Sequence, residues 1–101
     1  MGTSKRYAHD VDRRMDARVI EKIMRSGAPL SLTEDERQLD LYPLTIDPRP
    51  SPVRAWVRYP AAAVQVEALA VKWTARAVAI TWPGPDETEH RAWVWASAVE
   101  R

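Results

Sequence analysis

At 101 residues the chain has room for one domain, or for a small domain with an appendage. Its 46% hydrophobic and 29% charged content is the balance of a globular protein and excludes a disordered or membrane-embedded class. The absence of cysteine removes disulfides, thiolate metal sites and thiol nucleophiles, and a net charge of +1 leaves neither half strongly basic, with 8 basic and 9 acidic residues up to Asp47 and 7 and 5 beyond it.

The chain opens with Lys5 and Arg6 followed by Asp10, Asp12, Arg13 and Arg14, which is no apolar leader segment. The longest apolar-leaning stretch, Val64 to Trp82, is interrupted by Gln65, Glu67, Lys72 and Arg76, whereas a bilayer span needs about 20 consecutive apolar residues. A cytoplasmic protein with no membrane partner is expected. Twelve arginines against three lysines, with fifteen alanines and no asparagine, fit a GC-rich coding bias, so arginine abundance alone carries no function.

From about residue 4 to 26, Tyr7, Val11, Met15, Val19 and Ile23 recur every fourth position, widened by Ala8, Ile20 and Met24 into the apolar stripe of an amphipathic helix. Thr3 or Ser4 is placed to cap its start, and Gly27 to end it in a left-handed conformation. The stripe either packs on the sheet that follows or pairs with the same helix of another subunit. A second helix, 34–41, is announced by Thr33 with Glu34, Asp35 and Glu36, a capping box whose acidic first turn suits the positive end of the helix dipole. These two helices form an N-terminal segment, 1–42. Pro43, Pro48, Pro50 and Pro52 then define an extended strap, 43–52, without a P-x-x-P spacing.

Beyond Pro52 the period falls to two. Val53, Ala55, Val57 and Tyr59 alternate with Arg54, Trp56 and Arg58. Val64 and Val66 follow, then Leu69, Val71 and Trp73, then Val78, Ile80 and Trp82, and last Ala92, Val94 and Ala96 against Arg91, Trp93 and Trp95. Four or five short strands result, with Pro83–Thr88 as an exposed hairpin loop. Strands this short must curl or accept a helix to bury a face. The fold class expected is α+β, with two N-terminal helices packed on a β-barrel module of four to five antiparallel strands, 53–101.

The closing run Arg91-Ala92-Trp93-Val94-Trp95-Ala96-Ser97-Ala98-Val99-Glu100 resembles the end of SH3-like barrels, where a strand, one 3₁₀ turn and a short last strand carry a small-Ser-x-x-Val pattern. Tudor-like barrels are a similar match. The resemblance covers residues 53–101 and implies a small barrel. It brings neither the aromatic-rich strand of a proline-ligand groove at Val53–Tyr59 nor an aromatic cage. The whole chain, with its Met1-Gly2-Thr3-Ser4-Lys5-Arg6-Tyr7 opening, also looks like small proteins of actinobacteria and their phages, a likeness that implies no activity.

Candidate chemistry is sparse. His9, Asp12 and Asp16 share one face of the first helix, but the arginines beside them disfavour a cation, and no metal is expected. His90, next to the hairpin loop, reads as a solvent-exposed histidine with no nucleophile beside it. Three glycines leave nothing for a phosphate-cradling loop, so no cofactor and no enzyme is expected. The remaining constellation is Arg54, Trp56 and Arg58 on one strand face with Arg91, Trp93 and Trp95 on another. Exposed and adjacent, they would form an Arg/Trp platform. Such a platform suits a protein partner, a second copy of the chain included, and alternatively nucleic acid. Against this, a module without phenylalanine needs large residues inside, and most of the five tryptophans are expected in the core or under a helix. The function expected is a non-catalytic binding or adaptor module.

Overall fold

The computed structural model describes residues 17–101. Its first described residues are helical over 17–24 (α1), and Ile20, Ile23 and Met24 pack against the core of the sheet. The intramolecular alternative for the stripe is therefore realised for Ile20, Ile23 and Met24, while Val19 stays 51% exposed. The part of the expected helix before residue 17 lies outside the described residues. Gly27 ends the segment differently from expectation. Its φ of +152° is outside the left-handed well, and a Cβ there would meet Pro60 Cγ at 2.8 Å, so glycine is required by both backbone angle and close approach.

The capping box forms as read. Thr33 Oγ1 accepts from the Glu36 amide at 3.2 Å and Glu36 Oε1 accepts from the Thr33 amide at 3.0 Å. The helix it starts, α2 (Glu34–Arg37), is a single turn with no buried residue, not the expected 34–41. Without an apolar face to dock there is no tertiary packing to prolong it, and Gln38 turns into the left-handed region at φ 48°.

Five antiparallel strands follow: β1 (Thr45–Arg58), β2 (Ala63–Trp73), β3 (Ala77–Pro83), β4 (Glu89–Trp95) and β5 (Val99–Glu100), in the order β4-β3-β2-β1-β5. The proline strap is a correction: residues 45–52 belong to β1. The register slips between Ile46↔Lys72 and Ser51↔Ala70, an irregularity that accommodates Pro48 and Pro50 without ladder amides. Asp47 closes it, accepting from the Arg49 amide at 2.9 Å and the Ser51 hydroxyl at 2.7 Å. These two donors hold the Asp47 carboxyl below its ordinary pKa.

The stretches read as separate short strands at Val64 and Leu69 form one strand, β2, and its inward residues are Val64, Val66, Ala68 and Ala70. Leu69 therefore faces outward, 42% exposed, until the irregularity between Ala70 and Lys72 restores Trp73 to the core side. On β1, β3 and β4 the expected phase holds, with Val53, Ala55, Val57 and Tyr59, then Val78, Ile80 and Trp82, then Ala92 and Val94 inside. A 3₁₀ turn at Ala96–Ala98 separates β4 from β5, and β5 returns to β1 at Arg54↔Glu100 and Ala55↔Val99.

The sheet curls without closing, leaving β4 and β5 as its edges. The segment 30–32 spans part of the opening. The Leu30 amide donates to Arg58 O at 2.7 Å on β1, the Leu32 amide donates to Trp93 O at 3.0 Å on β4, and the Trp93 amide donates to Ser31 Oγ at 2.8 Å. Three edge groups that would face solvent are thereby paired. Among the described residues no helix is long and apolar enough to cross a membrane.

Candidate functional site

Strand alternation sends Arg54, Trp56 and Arg58 to the outer face of β1, because Val53, Ala55, Val57 and Tyr59 occupy the inner one. Trp56 is 51% exposed and lies opposite Gln65. Arg54 lies opposite Glu67 on one side and Glu100 on the other, while Arg58 is opposite Ala63. The bridge Leu30↔Arg58 puts Leu30, 55% exposed, on this same face and diagonal to Trp56. The result is an apolar centre of one indole and one leucine rimmed by two guanidinium groups and polar side chains. Among the described residues no cation stacks on the Trp56 ring and no acceptor meets its indole N–H.

The other four tryptophans are engaged. Trp82 is buried, and its Nε1–H donates to Tyr59 Oη at 2.9 Å. Trp73 is half-buried against the core with the Arg101 guanidinium 5.3 Å from its ring centroid. Trp93 carries Arg37 at 5.7 Å and Lys72 at 5.8 Å, and Trp95 carries Arg76 at 5.9 Å. Ala79 and Ala77, paired with Trp93 and Trp95, are buried although they face outward, as expected where large indoles on the next strand lie across small side chains. The expectation that most tryptophans are core holds fully for Trp82 alone.

The two Arg/Trp triplets share the outer surface but are not neighbours. By sheet order β2 and β3 lie between β1 and β4, and across the open side the segment 30–32 lies between Arg58 and Trp93. One continuous platform is not formed. Arg91 is paired with Glu89 at 2.9 Å, and Trp93 is half-buried.

His90 corrects the solvent-exposed reading. It is half-buried at the start of β4, in phase with Ala92 and Val94, so the strand turns its ring inward. Tyr59 Oη lies 2.7 Å from His90 Nδ1. Since an indole only donates, the phenol accepts from Trp82 and its own hydrogen is free to point at Nδ1, an arrangement that fits the proton on Nε2. A Cβ on Gly84 would run into His90 Nε2, so the hairpin loop needs glycine to pass the ring. Burial pushes the Tyr59 pKa up, partly offset by the Trp82 N–H. The period-two pattern of β4 was the signal that would have placed His90 inside.

The loop after β3 is tied to α1 by Arg25, whose guanidinium donates to both Asp86 oxygens at 2.8 and 3.0 Å and to Glu21 at 2.8 Å. This pairing raises the Arg25 pKa, and the guanidinium holds the Asp86 carboxyl below the usual range. His9, Asp12 and Asp16 lie outside the described residues. No family model, curated protein or solved structure matches the chain.

Proposed function

We propose that the protein is a small non-catalytic binding or adaptor module of the cytoplasm that docks on a protein partner through the β1 outer face. One observation carries the reading: Trp56 is half exposed and, among the described residues, uncovered, with Leu30 diagonal to it and Arg54 and Arg58 at its sides. Tryptophan and arginine around an apolar centre with a polar rim are the composition of interface hot spots. The strand order β4-β3-β2-β1-β5 and the 3₁₀ turn between β4 and β5 support an SH3-like barrel as the scaffold. Trp56 stands on a strand paired along one side with β2 and, at the adjacent Arg54 and Ala55, with β5 on the other, so the contact residue is held by a rigid element.

Nucleic acid is less well served on this face, because Arg54 has Glu67 and Glu100 opposite it. A second copy of the chain is the first partner to test. A photo-crosslinking residue at position 56 or 58, in the full chain and in cells, is expected to give a discrete protein adduct, or a crosslinked dimer, that the same residue placed at Asp35 on α2 does not give. Identical adduct patterns from the two faces would contradict the reading.

A further inference from the structure

Three cations, Arg37 on α2, Lys72 on β2 and Arg76 in the turn between β2 and β3, lie over the Trp93 and Trp95 rings of β4. Among the described residues the ion pairs are Arg25–Glu21, Arg25–Asp86 and Arg91–Glu89. Arg37, Lys72 and Arg76 are held instead by aromatic rings and neutral acceptors. Arg76 sits 5.9 Å from the Trp95 centroid and 5.6 Å from that of Tyr42, and its Nη1 donates to Gln38 Oε1 at 3.1 Å and Tyr42 Oη at 3.3 Å. Arg37 lies over Trp93 and donates through Nε to Thr33 O at 3.4 Å. Lys72 shares the same Trp93 ring.

Neutral partners fix a guanidinium without cancelling its charge. Among the described residues each of these arginines keeps most of its five N–H donors free, already positioned, and an ordered guanidinium is the group that takes a phosphate by two parallel hydrogen bonds. The rings add a second capacity. Trp93 and Trp95 stand two residues apart on one strand, about 6.6 Å along it, and Trp95 remains 37% exposed. A groove of ≈ 430 Å³ lies beside Trp93, with Ser31, Lys72, Thr81 and the paired Glu89 and Arg91 among its walls.

We propose that this face binds single-stranded nucleic acid, with Arg37, Lys72 and Arg76 on phosphates and bases stacking on Trp95 and at the edge of Trp93. A row of fixed cations interleaved with aromatic rings matches an alternation of phosphates and planar bases, since bases stack on both indoles and guanidinium planes. An acidic peptide would satisfy the cations and leave the rings unused. Arg91 is outside the phosphate set because Glu89 neutralises it. This surface is separate from that of Trp56 and does not rest on the protein-docking reading.

Fluorescence anisotropy of labelled oligodeoxythymidylate, titrated with the full chain at several salt concentrations, tests it. Binding is expected at low salt, with log K falling against log salt by roughly 0.7 per phosphate contact, so a slope near −2 for three cations. Arg76→Gln and Lys72→Gln are each expected to weaken binding and to reduce the slope by roughly 0.7, while Lys22→Gln on α1, the same charge change elsewhere, leaves both unchanged. No anisotropy change with the unaltered chain at low salt overturns the proposal. So does equally tight binding of a labelled polyglutamate, or an effect of Lys22→Gln as large as that of Arg76→Gln.

Discussion

The phenol of Tyr59 receives the indole N–H of Trp82 at 2.9 Å inside the curled sheet, and the two rings meet edge to face, 6.4 Å apart at 88°. His90 completes the group from β4. These residues come from β3, β4 and the position just after β1, and they fill with polar-tipped aromatics an interior otherwise lined largely by alanine and valine.

Tyr59→Phe keeps the ring and removes both hydrogen bonds, leaving the buried Trp82 donor without its acceptor. A loss of about 1 to 3 kcal/mol is expected in urea unfolding, with little change in the strand content seen by circular dichroism.

Alkaline pH should destabilise the fold through the same residue. The folded-state pKa of Tyr59 is raised above its ordinary 10.0, so above that pH the unfolded chain releases a proton that the folded one retains. Stability therefore declines as pH rises through and beyond the ordinary tyrosine range. Ultraviolet titration of tyrosinate should show a phenol ionising above the ordinary tyrosine range, and Tyr59→Phe should abolish that late step.

Acid should act in the hairpin loop that passes the His90 ring. The Asp86 carboxyl is held low by Arg25, so in the acid range the unfolded chain binds more protons, and the contribution of this pair, present above the ordinary carboxylate pKa, is lost as pH falls through the folded-state value. Asp86→Asn is expected to flatten the acid limb of a stability-versus-pH curve and to speed hydrogen exchange over 17–24. The pair is solvent-exposed, so the change should shrink in high salt.

Gly27→Ala introduces a Cβ 2.8 Å from the Pro60 ring at a φ of +152°, and Gly84→Ala one that collides with the His90 ring. The first is expected to cost more than about 1 kcal/mol, because alanine is strained at positive φ. The second should displace His90 from Tyr59, readable as a change in the His90 imidazole resonances. Unaltered resonances in Gly84→Ala would show that the loop, not the ring, had moved.

Much of this was legible in the chain and some was not, for physical reasons. Period-two alternation marked β1, β3 and β4 and placed Val53, Val57, Ile80 and Val94 inside, because burial on one face imposes it. Thr33 and Glu36 announced their capping box, since that device is local. The length of α2 was not legible, as it depends on whether any tertiary surface receives Leu39 and Leu41, and both remain exposed. The prolines at 48 to 52 read as a connector because proline lacks a ladder donor, yet Asp47 and Ser51 stabilise an irregularity that lets β1 run through them. For the candidate site, alternation put all six Arg/Trp residues on outward positions, but only sheet order and the segment 30–32 separate them into two surfaces.

Trp82→Ala and Trp56→Ala should separate the core from the surface. The first empties a buried site and is expected to cost about 3 to 5 kcal/mol. The second removes a half-exposed ring and should change stability within roughly 0.5 kcal/mol while abolishing the adduct formed from position 58.

Acrylamide quenching of tryptophan fluorescence, compared between the unaltered chain and Trp56→Phe, tests the central claim that Trp56 is the most exposed of the five rings. The most accessible component of the emission should disappear in Trp56→Phe, leaving the intermediate quenching of Trp95 and the weakly quenched emission of Trp73, Trp82 and Trp93. An accessible component that survives Trp56→Phe undiminished would contradict the account.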